Sequence, residues 1–261
     1  MGGSPQGARP KALVYRDPVN LEFSTQASDQ HEAWLIKFPA QQEHPEVCAI
    51  EAVYAECLRL CAIETPDTHF FNLPNGLTAF ASKRFDRQNG MRIPMQSLAA
   101  YTGADYKVPG SLDYRNFLRA TLMCTQDVRE RLHAFKRAVF NVLFNNRDDH
   151  TKNFSFHKEK NGQWKLAPAY DVTFCEGPGG YHQMDIMGEA LNISRNDIHK
   201  LGTSEANLTT LEVDEIILTM REIALQFSQI AQRLYPHQIR ESTLQMIQSR
   251  IQQNIDFLTE T

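Results

Sequence analysis

The chain has 261 residues, 42% of them hydrophobic and 22% charged, with a formal net charge of −4. This length accommodates one large core or two modest lobes, and the composition is that of a globular protein. The charge gives no general drive toward nucleic acid, although it leaves room for a local basic patch; no window forms an uninterrupted membrane-spanning run, and the N-terminus has no secretory-signal pattern.

Five cysteines, Cys48, Cys57, Cys61, Cys124 and Cys175, include no Cys-x-x-Cys pair. They read as reduced core residues of a cytoplasmic protein. His31, His44, His69 and His182 show no metal-ligand spacing, so zinc is not expected.

Taken in chain order, small residues come first. Gly2-Gly3-Ser4-Pro5-Gln6-Gly7-Ala8-Arg9-Pro10-Lys11 runs into the apolar Ala12-Leu13-Val14-Tyr15, a predicted strand. Glycine lets backbone N–H groups approach phosphate oxygens, and Lys11 adds a cation; the plain alternative is a loose chain end. A second strand is predicted over residues 33–39, where Lys37 is the only cation. It would reach nucleotide phosphates, or else snorkel from a strand edge. A helical stretch follows over residues 47–61, with Glu51 near its start, placed either to orient Lys37 or on a solvated face. Residues 78–87 pass from a strand into a polar connector. Backbone groups near Lys83 and Phe85 are candidates for adenine, and Asp86 for ribose. The predicted boundary lies near Arg87-Gln88-Asn89-Gly90, dividing an N-lobe of residues 1–87 from a C-lobe of residues 88–261.

Phe135, Val139 and Leu143 recur at a spacing of four, with Ala138 and Val142 beside them, which predicts a helix over residues 133–144. It leads into Asn145-Asn146-Arg147-Asp148-Asp149-His150-Thr151-Lys152-Asn153. An acid and an amide five residues on, presented by one loop, suit phosphoryl transfer: Asp148 toward the nucleophile, Asn153 toward a magnesium ion. The plain alternative is a capped helix end with a polar turn. His150 reads as packing beneath the loop, and Lys152 as neutralising the transferred phosphate or facing solvent. Two short strands, residues 154–157 and 163–166, flank Asn161-Gly162, a dipeptide that favours a tight hairpin turn. The hairpin would return Asp171 to the metal. Residues 176–182 are glycine-rich and read as a mobile, substrate-facing loop or a plain surface connector. Helical spacing resumes over residues 213–234, and a second helix is predicted over 236–258.

These motifs, in this order, resemble those of the HipA-type serine/threonine kinases, the toxin halves of bacterial type II toxin–antitoxin systems. The resemblance rests on Ser4 to Lys11, Leu35-Ile36-Lys37-Phe38-Pro39, the helix bearing Glu51, Lys83-Arg84-Phe85-Asp86-Arg87, Asp148 to Asn153, and Tyr170-Asp171. It implies an α+β, two-lobed protein-kinase-like fold with a small β-rich N-lobe and a larger, mostly helical C-lobe. It also implies ATP and Mg2+ as cofactors, Asp148 as catalytic base with Lys152 assisting, and Asn153 and Asp171 as metal ligands. Nucleotide contacts would come from Ser4, Gly7, Ala8, Lys11, Lys37, Glu51, Lys83, Phe85, Asp86 and His150. Ser4 matches the loop serine that such kinases autophosphorylate.

The implied partners are a protein substrate, often an aminoacyl-tRNA synthetase, and an antitoxin of the HipB type, through which alone DNA is reached; no membrane is involved and the setting is the bacterial cytoplasm. Full-length members carry a subdomain of about one hundred residues ahead of the loop. This chain starts inside the loop, as expected of a truncated sequence or of a split system whose N-terminal subdomain is a separate protein. Two other readings stay open: a catalytically silent nucleotide-binding regulatory module acting through an antitoxin, and a small-molecule or lipid kinase.

Overall fold

The computed structural model describes residues 9–28 and 30–259. Its first half is built on a five-stranded antiparallel sheet of order β2-β1-β3-β5-β4, with β1 at Lys11–Arg16, β2 at Phe23–Ser24, β3 at Glu32–Lys37, β4 at Thr68–Asn72 and β5 at Thr78–Lys83. Side chains alternate across the sheet, so its two faces separate by sequence parity. Val14, Trp34 and Ala81 pack together on one face, joined by Phe23, Ile36 and Phe71. Lys37 stands opposite Lys11 in β1 and Phe80 in β5, on the other.

That second face is covered by helix α1, Glu46–Leu60. Cys48, Ala52 and Ala55 meet Phe80 of the sheet, while Ala49, Val53, Tyr54 and Cys57 join the main core of the second half. Eleven of its fifteen residues are buried, the mark of a helix enclosed on most sides rather than riding on a surface. Tyr54 fixes its position by donating its hydroxyl to the Phe144 carbonyl at 2.5 Å.

At the predicted lobe boundary the chain forms a small hairpin, β6 at Arg87–Gln88 and β7 at Met91–Arg92. Asn89 and Gly90 at its tip both have positive φ, 48° and 75°, as a two-residue turn of right-handed twist requires. Strand β8, Met95–Ser97, continues into α2, Leu98–Thr102, capped by Ser97. The helices α3, Tyr114–Thr125, and α4, Val128–Leu143, follow, capped by Asp113 and Asp127. Helix α4 thus starts five residues before the predicted 133, because the Asp127 carboxylate accepts the Arg129 N–H there and the chain reverses at Gln126, φ 54°. Its Phe135, Ala138, Val139 and Leu143 are fully buried.

Strand β9, Ser155–Lys158, pairs with β8 on one side and with β10, Trp164–Leu166, on the other, in a three-stranded sheet of order β10-β9-β8. The turn between β9 and β10 is longer than the Asn161-Gly162 pattern predicts. Glu159 and Gln163 close it through a 2.8 Å backbone bond, and Gly162 takes positive φ while Asn161 does not, the form of a three-residue loop.

The C-terminal region differs from its periodicity twice. One predicted helix is two, α6 at Thr210–Leu225 and α7 at Phe227–Leu234, broken at Gln226; α5, Arg195–Glu205, precedes them behind a Ser194–Asp197 capping box. The last helix, α8, begins at Glu241 rather than 236. Its approach is held elsewhere, with the Arg240 N–H and guanidinium both bound to the buried Glu46 of α1.

Helices α4, α5 and α6 meet at Gly202, where an added methyl would lie 2.4 Å from Val213 Cγ2 and 3.1 Å from Phe135 Cζ. Gly202→Ala is expected to cost about 1–3 kcal/mol through overpacking. A urea midpoint equal to or above the parent's would show that these helices part freely.

Candidate active site

Lys37 is buried at the end of β3, and its ammonium donates to Glu51 of α1 and, at 2.5 Å, to Asp171 Oδ1. These three residues come from a strand, a helix and a loop spread over 134 positions of sequence. Arg9 Nη1 lies 3.6 Å from the other Glu51 oxygen. Glu51 is 3% exposed and Lys37 6%, so neither a solvated helix face nor a snorkelling lysine describes them.

Burial disfavours the ammonium, yet the charges of Glu51 and Asp171 outweigh it and raise the Lys37 pKa above its ordinary value. Burial pushes Asp171 upward, but the Lys37 charge and hydrogen bond prevail, helped by Lys11, and hold it below its usual value. For Glu51 burial wins: with the Asp171 charge, it keeps the pKa raised against Lys37 and Arg9. Asp171 itself has φ 57°, an unfavourable conformation for most residues that Asp tolerates comparatively well.

The loop after α4 is locked from both sides. Asn145, φ 53°, starts it; the Arg147 N–H donates to the Cys175 carbonyl at 3.2 Å, and the Cys175 N–H to Asn145 at 3.1 Å. Asn153 Nδ2 donates to the Asp148 carbonyl at 2.7 Å, which turns the Asn153 amide oxygen away from that bond. The Tyr170 hydroxyl donates to the Lys152 carbonyl at 2.7 Å. The Asp148 side chain remains 46% exposed, with His150 Nε2 at 3.8 Å from its carboxylate. Its pKa is raised, chiefly by burial and then by the Asp171 and Asp149 charges, against the pull of His150. The Lys152 ammonium lies over the Tyr106 ring.

Beneath the loop lies a group that linear reading missed. Asp149 is fully buried and accepts three hydrogen bonds, from Tyr114 Oη at 2.8 Å, from His182 Nδ1 at 2.8 Å and from the Gln183 N–H at 2.7 Å. Tyr114 Oη in turn accepts from Asn141 Nδ2, whose Oδ1 accepts from Asn146 Nδ2, both at 2.9 Å. The acid doublet Asp148-Asp149 was the one linear hint; positions 114, 149 and 182 are too far apart for spacing to join them. Tyr114→Phe strips one donor from a buried carboxylate and one acceptor from Asn141, and is expected to cost about 1–3 kcal/mol by urea denaturation. An unchanged midpoint would mean that the network contributes nothing.

The same contacts bear on the glycine-rich segment 176–182. Gly177, φ 70°, leaves no room for a methyl, which would sit 2.2 Å from the Tyr181 carbonyl, and the Gly180 carbonyl accepts from Arg147. With His182 buried against Asp149, the segment is packed against the loop after α4 rather than standing off as a plain connector.

In the connector, the Lys83 N–H is committed to the Asp67 carbonyl at 2.8 Å and its ammonium to Glu32 at 2.5 Å. Both Asp86 oxygens are held by Arg84, and one also by Arg87; these arginines overcome the upward push of burial and lower its pKa. The Phe85 ring lies 5.6 Å from Tyr170. Lys11 occupies the first position of β1, across from Lys37. Ser4, Gly7 and Ala8 lie outside the described residues.

A family model described as the HipA-like C-terminal domain matches residues 3–233. A putative kinase of Haemophilus influenzae is 23% identical over 194 residues, 66% of this chain and 52% of that protein. The chain therefore spans about half the length of this curated relative. Among solved structures, the Shewanella oneidensis MR-1 toxin–antitoxin complex of HipA, HipB and operator DNA matches with a TM-score of 0.73 at 17% identity, over 99% of this chain and 66% of the other. The proinflammatory kinase CtkA of Helicobacter pylori matches with a TM-score of 0.57 at 15% identity, over 87% of each chain. These similarities carry the kinase-like α+β fold.

Proposed function

Because the chain belongs to the family of HipA-like C-terminal domains, we propose that it is a Mg-ATP-dependent protein serine/threonine kinase. The observation that carries this reading is the meeting of Glu51, Lys37 and Asp171 beside a loop bearing Asp148 and Asn153. A buried lysine clamped between two carboxylates is held in one place and one charge state, as a phosphate-binding cation must be.

In the proposed reaction, the exposed Asp148 carboxylate orients the acceptor hydroxyl and takes its proton as the oxygen–phosphorus bond forms and the bond to the leaving diphosphate breaks. Lys37 offsets charge on the phosphate oxygens. Among the described residues no three His, Cys, Asp or Glu are clustered as a metal cage. Two hard oxygen donors, from Asp171 and the Asn153 amide, fit Mg2+, which takes few protein ligands and completes its shell with water and phosphate. When bound, the ion would neutralise phosphate charge. The 1–87 and 88–261 lobes are proposed to close on the nucleotide between them, with Lys83, Phe85 and Asp86 beside the adenosine and Lys11 and His150 toward the phosphates.

The same reading makes the chain the toxin half of a bacterial toxin–antitoxin pair, acting in the cytoplasm on a protein target, with a HipB-type antitoxin as partner. The Shewanella complex, in which HipA stands with HipB and operator DNA, supports this. No helix among the described residues is long and apolar enough to cross a membrane.

The test is to incubate the chain and its Asp148→Ala variant with magnesium and ATP, alone and with bacterial lysate, and to map phosphate by mass spectrometry. Phosphate on Ser4 or on a lysate protein from the parent alone is expected. Nucleotide binding without any transfer would favour the silent regulatory module. Labelling confined to lipid or small-molecule extracts would replace the protein acceptor.

A further inference from the structure

The stretch between α2 and α3, residues 103–113, contains no helix or strand, yet it reaches the catalytic loop. Its Tyr106 ring lies beneath Lys152, whose Nζ is 3.4 Å from the ring centroid. The same ring meets the His150 imidazole edge-on at 5.9 Å. The stretch is anchored beyond Tyr106, where the Gly110 N–H donates to the Gln183 carbonyl at 2.8 Å and the Tyr114 N–H to Asp185 at 3.0 Å. Lys152 is anchored through its own carbonyl, which accepts from Tyr170. One end of the contact is thus held by main-chain bonds beyond Tyr106 and the other by the Tyr170 hydroxyl on the Lys152 carbonyl, and the side chains meet because the backbones are held.

We propose that Tyr106 is a positioning residue for phosphoryl transfer, its ring holding the Lys152 ammonium in one place on the loop that also carries Asp148 and Asn153. Among the described residues Lys152 makes no ion pair, so its charge is not cancelled by a carboxylate before a phosphate arrives. Lys37, by contrast, is bracketed by two acids. A lysine stem left to itself samples many rotamers, and each one away from the loop is unproductive. An aromatic face attracts the ammonium without neutralising it. A carboxylate in the same place would cancel the charge that the transfer step uses. The proposal rests on the kinase reading above and on Lys152 acting on the transferred group.

The experiment compares Tyr106→Leu, Tyr106→Phe, Lys152→Met and the double variant Tyr106→Leu/Lys152→Met. Tyr106→Leu is expected to lower kcat roughly 2- to 30-fold, the factor a cation–π contact supplies, with KM for ATP unchanged. Tyr106→Phe, which keeps the ring, restores most of kcat. In the Lys152→Met background, Tyr106→Leu has no further effect. Equal losses in both backgrounds, or a Tyr106→Phe loss as large as that of Tyr106→Leu, would overturn the proposal.

A second readout does not need activity. After reductive methylation with 13C-formaldehyde, the Lys152 dimethylammonium signal, identified by its absence in Lys152→Met, is expected upfield from ring current and back among the other lysines in Tyr106→Leu. A Lys152 signal that is unshifted in the parent also overturns the proposal. A shifted signal in a chain that transfers no phosphate would refute the kinase reading while leaving the Tyr106–Lys152 contact standing.

Discussion

Asp148→Asn is expected to lower kcat by about 10²- to 10⁴-fold, the usual contribution of a positioned general base, while ATP affinity stays within a few-fold. The amide keeps the shape of the side chain and can still align a hydroxyl, but it cannot take the proton. Burial and the neighbouring Asp171 and Asp149 charges raise the Asp148 pKa above its ordinary 3.8. The proton must leave Asp148 before the carboxylate can accept another, so activity is lost as pH falls through the raised value. In a pH profile of kcat/KM, the acid limb is therefore expected above the ordinary value of 3.8, and it disappears in Asp148→Asn. Near-parental turnover by this variant would remove Asp148 from the mechanism. A limb at or below 3.8 would mean that its surroundings do not act as described.

Lys37→Met is expected to strike both activity and folding. The ammonium bonds Glu51 and Asp171 together, and its removal leaves Glu51 buried with only the longer Arg9 contact. Breaking one partner out of a buried ionic group costs about 3–5 kcal/mol, because the charge left behind is uncompensated. Its escape is protonation. A carboxyl whose folded pKa exceeds its unfolded value, here 4.5, is a burden that begins as pH rises past the unfolded value and is complete above the folded one. Without Lys37 the Glu51 pKa rises further. The loss of urea stability is therefore expected to grow as pH rises above 4.5 and to be larger near about pH 8 than near about pH 5. A loss independent of pH would assign it to packing alone. Lys37→Met/Glu51→Leu, which removes the stranded charge, is expected to recover stability but not phosphotransfer.

Much of the fold could be read from local signals. Strand β3 follows from a short continuous apolar run and helix α4 from apolar residues at a spacing of four; with α1, read as a helical stretch, their observed ranges differ from the predicted ones by a few residues at the ends. Those ends were set by capping groups and turns that periodicity does not record: Asp127 began α4 early, and Gln226 broke the helix that became α6 and α7. Helices α2, α3 and α5 went unread. Helix α3 is amphipathic but polar on average, and its Asp113 cap closely follows Pro109-Gly110-Ser111, which reads as a plain turn.

The sequence by itself marked Asp148, Asn153 and Lys37 as candidates for phosphoryl chemistry, because their residue types and spacing suit it. Only the tertiary structure decided what surrounds them. Glu51 becomes a buried partner of Lys37 because α1 is enclosed between the sheet and the helical half. Asp149 becomes a buried anchor, and His182 its partner, because the glycine-rich segment folds back under the loop that bears Asp148. Tyr106 meets Lys152 across 46 positions of sequence. The physical reason is common to all three: burial and electrostatic pairing depend on distance in space, and the chain reveals that distance only where the partners are near neighbours along it.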